Sequence, residues 1–187
     1  MELLIDGDQM IFACGFATES EDDGHAFHLI NQKIEGLMAK SDCSEYQLFI
    51  KGVGNFRYAI DSEYKATRKA RKPFNYDAIV DFMVGKWGAV KVDGMEADDM
   101  VSHLLWESYC NDNQRICYSP DKDLKNTPGW HMDEKQDGPY WITETQANRH
   151  FVYQLLRGDT VDNIKGLPSI PIELSRSLGL KSNKFGD

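Results

Sequence analysis

Glu2-Leu3-Leu4-Ile5-Asp6-Gly7-Asp8 opens the chain with a short apolar run that stops on two acids around a glycine. Short continuous apolar runs of this kind suit strands buried on both faces. The pattern returns at Tyr46 to Ile50, followed by Lys51-Gly52-Val53-Gly54. It returns again at Arg115 to Tyr118, followed by Ser119-Pro120-Asp121-Lys122-Asp123. A further short strand is predicted from Ala89 to Val92. Helical periodicity fills the intervals. Phe27 to Ala39 is apolar at Phe27, Ile30, Ile34, Leu37 and Met38, and Tyr76 to Trp87 repeats the pattern. Glu96 to Tyr109 carries Ala97, Met100, Val101, Leu104 and Leu105 on one stripe. Thr143 and Gln146 have capping-box spacing, which predicts a helix from there to Leu156.

Strands alternating with helices imply an α/β fold with a mostly parallel central sheet. Ligands gather at the carboxyl ends of the strands in such sheets, where this sequence puts Asp6, Asp121 and Asp123. Residues 1–150 are read as the core, with a basic segment near 62–75. Residues 151–187 are read as a second, smaller element, in which Gly158 to Gly166 is a turn between two helices and the tail from Lys181 is polar.

Composition excludes several classes. No apolar run approaches the roughly 20 residues of a membrane span. Leu3 to Ile5 ends at Asp6, too soon for a signal peptide, so the expectation is a soluble protein of the cytoplasm, the host's if it is viral. Cys14, Cys43, Cys110 and Cys117 form no metal or disulfide pattern and read as buried thiols. Trp87, Trp106, Trp130 and Trp141 read as core or core-edge residues. The net charge of -9 argues against a basic nucleic-acid binder, but the charges are clustered rather than spread.

Four acid clusters stand out: Asp6/Asp8, Glu96/Asp98/Asp99, Asp121/Asp123 and Asp159/Asp162. Each alone has an ordinary reading as a turn, a cap or a helix start favoured by the macrodipole. Together, three of them fall at predicted strand ends or helix starts. Like charges brought together repel, so convergence calls for a cation, and hard oxygen donors suit Mg²⁺ or Mn²⁺. Two such ions about 4 Å apart can clamp the attacking and leaving oxygens of a phosphodiester.

Lys65, Arg68, Lys69, Arg71 and Lys72 fall within eight residues. Lys65, Arg68, Lys69 and Lys72 recur at three- and four-residue steps and would share a helix face, either a solvated one or one that meets phosphates. Tyr64 could stack on an unpaired base. Lys65 or Arg68 could stabilise charge on a phosphate in transfer.

Several of these stretches match a known pattern in order. They are Leu4-Ile5-Asp6-Gly7-Asp8, Asn55-Phe56-Arg57, Tyr64-Lys65-Ala66-Thr67-Arg68-Lys69, Glu96-Ala97-Asp98-Asp99, Ser119-Pro120-Asp121-Lys122-Asp123 and the run from Gly158 to Gly166. Over about residues 2 to 170 the chain resembles the flap-endonuclease and 5′→3′ exonuclease family, in particular its small bacteriophage members. The resemblance implies a PIN-like fold with a helical arch and a helix-three-turn-helix element that binds DNA. It implies metal ligation by Asp6, Glu96, Asp98, Asp99, Asp121, Asp123, Asp159 and Asp162. It implies scissile-phosphate contacts by Lys65 and Arg68, and substrate contacts by Arg57, Tyr64, Lys69, Arg71, Lys72 and Lys165. Asp8 matches some phage members only.

Two departures qualify the match. Many members carry an aspartate after the second strand, where Lys51 stands here; Asp61 is the candidate acid to compensate. Leu167-Pro168-Ser169-Ile170-Pro171 replaces the glycine-rich hairpin of the DNA-binding element, and only Ile172 to Leu180 remains for its second helix, which reads as reduced or truncated. The expected activity is metal-dependent hydrolysis of phosphodiesters near 5′ ends or flaps of DNA, or of RNA primers in an RNA–DNA hybrid. The products would be 5′-phosphate and 3′-hydroxyl ends. In a phage this would serve DNA replication, recombination or host-DNA degradation. The alternatives are a catalytically silent nucleic-acid-binding protein of the same fold and a PIN-type endoribonuclease.

Overall fold

Alternation along the first strand sets the layers. The computed structural model describes residues 1–66 and 71–167. Leu3 and Ile5 pack with one buried cluster and Leu4 with another, and none of the three has exposed surface. The same division holds for Leu48 and Ile50 against Phe49, and for Ile116 and Tyr118 against Cys117. A sheet with apolar residues on both faces must be covered on both.

The sheet has six strands, β1 (Glu2–Asp6), β2 (Glu45–Lys51), β3 (Val90–Val92), β4 (Arg115–Tyr118), β5 (Gly129–Met132) and β6 (Tyr140–Ile142). Their spatial order is β3-β2-β1-β4-β5-β6, parallel except for β6 against β5. Helices α1 (Asp8–Ala17), α2 (Asp23–Ser41) and α4 (Tyr76–Trp87) cover one face, where Met10, Ile11, Ile30, Ile34, Ile79 and Met83 are buried. Helix α5 (Ala97–Asn111) covers the other through Ala97, Val101 and Leu105. A single turn, α3 (Arg57–Ile60), follows β2. Helix α6 (Glu144–Arg157) starts at the expected capping box, with Thr143 accepting from the Gln146 N–H and the Gln146 side chain accepting from the Thr143 N–H.

The expected strands and the four expected helices form within a few residues of their predicted limits. Asp6-Gly7-Asp8 is not a free-standing turn, because α1 starts at Asp8. β5 and β6 were not predicted. Between Gly158 and Gly166 the chain forms a two-stranded hairpin, β7 (Gly158–Asp159) and β8 (Ile164–Lys165), directly after α6. The second helix expected from Ile172, and Arg68 and Lys69 of the basic segment, lie outside the described residues. Cys14, Cys43 and Cys117 are buried, whereas Cys110 is exposed at the end of α5. Trp87 and Trp130 pack against the core, but Trp106 is 47% exposed. No helix among the described residues is long and apolar enough to cross a membrane.

Candidate active site

Asp6 ends β1 with the parity of Leu4, so its carboxyl lies on the α5 side at the carboxyl edge of the sheet. Helix α5 begins there, with Glu96 as its N-cap and Asp98 and Asp99 in its first turn. Asp6 is only 4% exposed. It accepts from Ser119 Oγ at 3.0 Å and from the Asp8 N–H at 3.3 Å. Burial first, then the charges of Asp8 and Asp98, push its pKa up to about 7. Asp98 is pushed up to about 6, by burial and then by Glu96 and Asp99, and its Oδ1 is buried without a hydrogen-bond partner among the described residues. Gly7 allows this crowding: a Cβ there would lie 2.9 Å from both Leu48 Cδ1 and Phe49 O. Asp8 Oδ1 accepts the Lys51 N–H at 2.8 Å; burial raises the Asp8 pKa against the opposing pull of that bond and of the Lys51 charge.

The remaining acids are held by protein donors. Glu96 takes Asn55 Nδ2 at 2.9 Å and Lys65 Nζ at 2.5 Å on Oε1, and the Tyr64 hydroxyl at 3.1 Å on Oε2. Burial would raise Asp99, but Arg57 and the Glu96 N–H hold it below the usual carboxylate range. The Arg57 contact is bidentate, at 2.5 and 2.6 Å. Asp121 Oδ1 accepts the Asp123 N–H at 2.9 Å, and Asp123 is bonded by Gln154 and by Lys122. Asp159 Oδ1 accepts the N–H groups of Val161 and Asp162, closing the β7–β8 turn. Asp162 Oδ2 receives the Tyr64 hydroxyl at 3.0 Å and lies 3.8 Å from Lys65 Nζ.

The start of the basic segment is fastened to this turn. The Lys65 N–H donates to Asp162 O, and Asn163 Nδ2 donates to Glu63 O. Lys65 adopts a left-handed backbone, φ 55°. Tyr64 is 6% exposed, its ring against Tyr58 and beneath Lys65 and Arg57, so its described position is a structural one between two acids. Arg71 pairs with Glu19 and lies over the Phe16 and Phe74 rings. Lys72 lies 3.8 Å from the Tyr76 ring centroid, and Lys165 is exposed on β8. Asp61 is exposed and caps the Glu63 N–H.

These groups meet in one cavity of about 790 Å³. Ten carboxylates and five lysines line it, an imbalance that favours a cation. Asp6, Asp8, Glu96, Asp98, Asp121, Asp123, Asp159 and Asp162 are on its wall with Lys51, Lys65, Lys72, Lys91 and Lys122. Asp99, Arg57 and Tyr64 sit behind that wall, and Arg71 and Lys165 lie away from it.

Solved structures share this arrangement of chain. The bacteriophage T5 protein co-crystallised with metal ions matches 96% of this chain and 76% of its own, at 17% identity and a TM-score of 0.64. The T5 flap endonuclease in a pseudo-enzyme–product complex with DNA and metal ions matches 96% and 74%, at 15% identity and 0.64. The catalytic core of Rad2 in complex with DNA substrate matches 96% and 62%, at 14% identity and 0.58. The chain has the fold of the 5′ nucleases. No protein-family model matches its sequence.

Within this 5′-nuclease fold, no group of three or more His, Cys, Asp or Glu side chains among the described residues is arranged to hold a metal ion as it stands. The donor set nevertheless suits a hard divalent cation. It offers carboxylate oxygens, one of them buried and unpartnered at Asp98, and two carboxyls whose ionisation the fold resists. Sequence reasoning missed the groups that hold the acids. Asn55 orients both Glu96 and, through the Arg57 N–H, the following turn. Ser119 bridges Asp6 and the Asp121 N–H. Both stand inside the quoted motifs, so their neighbours were the available signal. Gln154 lies on a helix face with no such cue.

Proposed function

We propose that this protein is a metal-dependent 5′ nuclease that hydrolyses phosphodiesters near the 5′ ends or flaps of DNA, or of RNA primers on DNA. One observation carries the reading: acids from four separate stretches of chain line one cavity at the carboxyl edge of the sheet, together with Lys65. Asp6, Asp98 and Asp121 are the first candidates to hold Mg²⁺ or Mn²⁺, with Glu96, Asp123, Asp159 and Asp162 completing one or two positions. When bound, the ions supply an activated water and offset charge on the leaving 3′ oxygen. Asp99 acts at one remove, fixing Arg57 and the first turn of α5. Lys65 contacts Glu96 and would exchange that contact for the scissile phosphate. Ser119 holds Asp6 in the orientation the cavity needs. Arg68, Lys69, Arg71 and Lys72 would receive the phosphates of the strand that enters. No covalent intermediate is required, and the products carry 5′-phosphate and 3′-hydroxyl ends.

A second reading has its own support. Lys51 brings an ammonium to the cavity where an acid would add a ligand, which favours a silent binder of nucleic acid with this fold. Incubating the protein with 5′-flap DNA, matched RNA and blunt duplex, with Mg²⁺, with Mn²⁺ and with chelator, separates the readings. Metal-dependent cleavage of the flap, lost in Asp98→Ala/Asp99→Ala, supports the nuclease. Binding without cleavage under every metal condition replaces it with the silent binder, and cleavage of RNA alone with an endoribonuclease.

A further inference from the structure

Four of the five cavity lysines divide into two kinds, and the fifth, Lys72, lies over the Tyr76 ring. Lys65 is engaged by Glu96 and Lys122 by Asp123 and Asp159, so their charge is already answered. Lys51 and Lys91 line the same cavity, are exposed, and have no carboxylate within 4.0 Å of the ammonium among the described residues. They sit at the carboxyl ends of two adjacent parallel strands. The register sets Lys51 beside Val92 and Lys91 beside Ile50, so alternation directs the two side chains to opposite faces at the carboxyl edge of the sheet, where both line the one cavity and flank it.

The backbone beneath them is fixed. The Gly52 N–H donates to Val92 O at 2.9 Å and the Val53 N–H to Asp93 Oδ1 at 2.8 Å. A Cβ at Gly52 would come within 2.1 Å of that same Asp93 oxygen and 2.6 Å of Val92 O, so only glycine lets the two strand ends close up. Asp93, the nearest acid along the chain, thus gives one oxygen to the backbone. Two exposed ammoniums on a rigid base, lining a cavity and with no carboxylate within 4.0 Å among the described residues, are suited to bind an oligoanion, Lys51 acting on Asp8 only at longer range.

We propose that Lys51 and Lys91 form a phosphate-binding wall that holds the backbone of a single polynucleotide strand next to the phosphate to be cut. The proposal rests on the nuclease reading only for which phosphate is cut; the wall itself requires only that a strand enter the cavity. It also gives Lys51 a task in a site otherwise rich in acids. Backbone contacts carry no base information, so the preference is for strand length over sequence.

The test is fluorescence anisotropy of a labelled 5′-phosphorylated oligodeoxythymidylate with the full chain, in chelator and again in Ca²⁺, across a salt series. For single strands each phosphate neutralised contributes about 0.7 to the slope of log affinity against log salt. Lys51→Ala and Lys91→Ala are each expected to lower the slope by about 0.7 and the double variant by about twice that, with several-fold weaker binding at low salt. Lys51→Arg is expected to keep the slope. Lys40→Ala, which removes an equal charge from exposed α2, is expected to leave it unchanged. An unchanged slope and affinity in the double variant, an equal loss in Lys40→Ala, or no binding by the wild type in either condition overturns the wall. Cleavage of flap DNA by the wild type in Mg²⁺ is scored separately. Failure there removes the nuclease reading and leaves the wall standing, while an unchanged slope with active wild type does the reverse.

Discussion

Asp98 shows the electrostatic cost built into the cavity. Its folded pKa, pushed up to about 6, stands above the ordinary aspartate value of 3.8 that holds in the unfolded chain. A raised carboxyl contributes stability that is fully present below the unfolded pKa and is lost as pH rises through the folded one. Without metal, ionised Asp98 therefore weakens the fold at neutral pH. Asp98→Asn is expected to stabilise the protein by about 2 kcal/mol at pH 7.5 in chelator, with the gain fading towards pH 4, as urea curves at the two pH values will report. The same change removes a candidate ligand, so stability and activity move in opposite directions. Arg57 makes the contrary case. Arg57→Ala would leave Asp99 half-buried without its bidentate partner and is expected to cost about 2 kcal/mol, while Arg57→Lys restores charge but not the paired geometry. Chemical denaturation of both variants separates these effects.

At the scale of elements, the clearest features in the sequence were those with one period and one environment. Leu3 to Ile5 and Ile116 to Tyr118 are buried on both faces and read directly as strands. Thr143 and Gln146 marked the start of α6 because capping is local chemistry. Thr143→Ala is expected to cost about 1 kcal/mol, measured as a shift in urea midpoint at constant slope. Helix α1 was hidden because Met10, Ile11 and Cys14 sit among Phe12, Ala13 and Phe16, so no single stripe stands out behind Asp6-Gly7-Asp8. Strands β5 and β6 lack the continuous aliphatic run that marks β1: Gly129 and His131 interrupt β5, and the partly exposed rings of Tyr140 and Trp141 fill most of β6. The β7–β8 hairpin is set by tertiary contacts from Tyr64 and Lys65 that a local reading does not contain.

Across the whole molecule, the acids' positions at strand ends were legible because chain order and strand periodicity fix where a doubly covered sheet puts its carboxyl edge. Their partners were not. Glu96 with Lys65, and Asp99 with Arg57, join residues some 30 to 40 positions apart whose meeting depends on how the segment after β2 folds back. Asp6 and Asp98 share a folded cost that a cation would relieve. Mg²⁺ or Mn²⁺ is therefore expected to raise the melting temperature, and to raise it more at pH 8, where both carboxyls are ionised, than at pH 5, where folded-state protonation competes with the ion. Thermal melts at the two pH values with and without metal check this. An equal shift at both would mean that the ion binds elsewhere.

The most direct measurement is anomalous diffraction from crystals of the protein grown with Mn²⁺. The account predicts at least one strong peak inside the cavity, within coordination distance of Asp98 and of at least one of Asp6 and Asp121. Manganese bound only outside the cavity, or Asp6, Asp98 and Asp121 turned away from one another at saturating Mn²⁺, would contradict it.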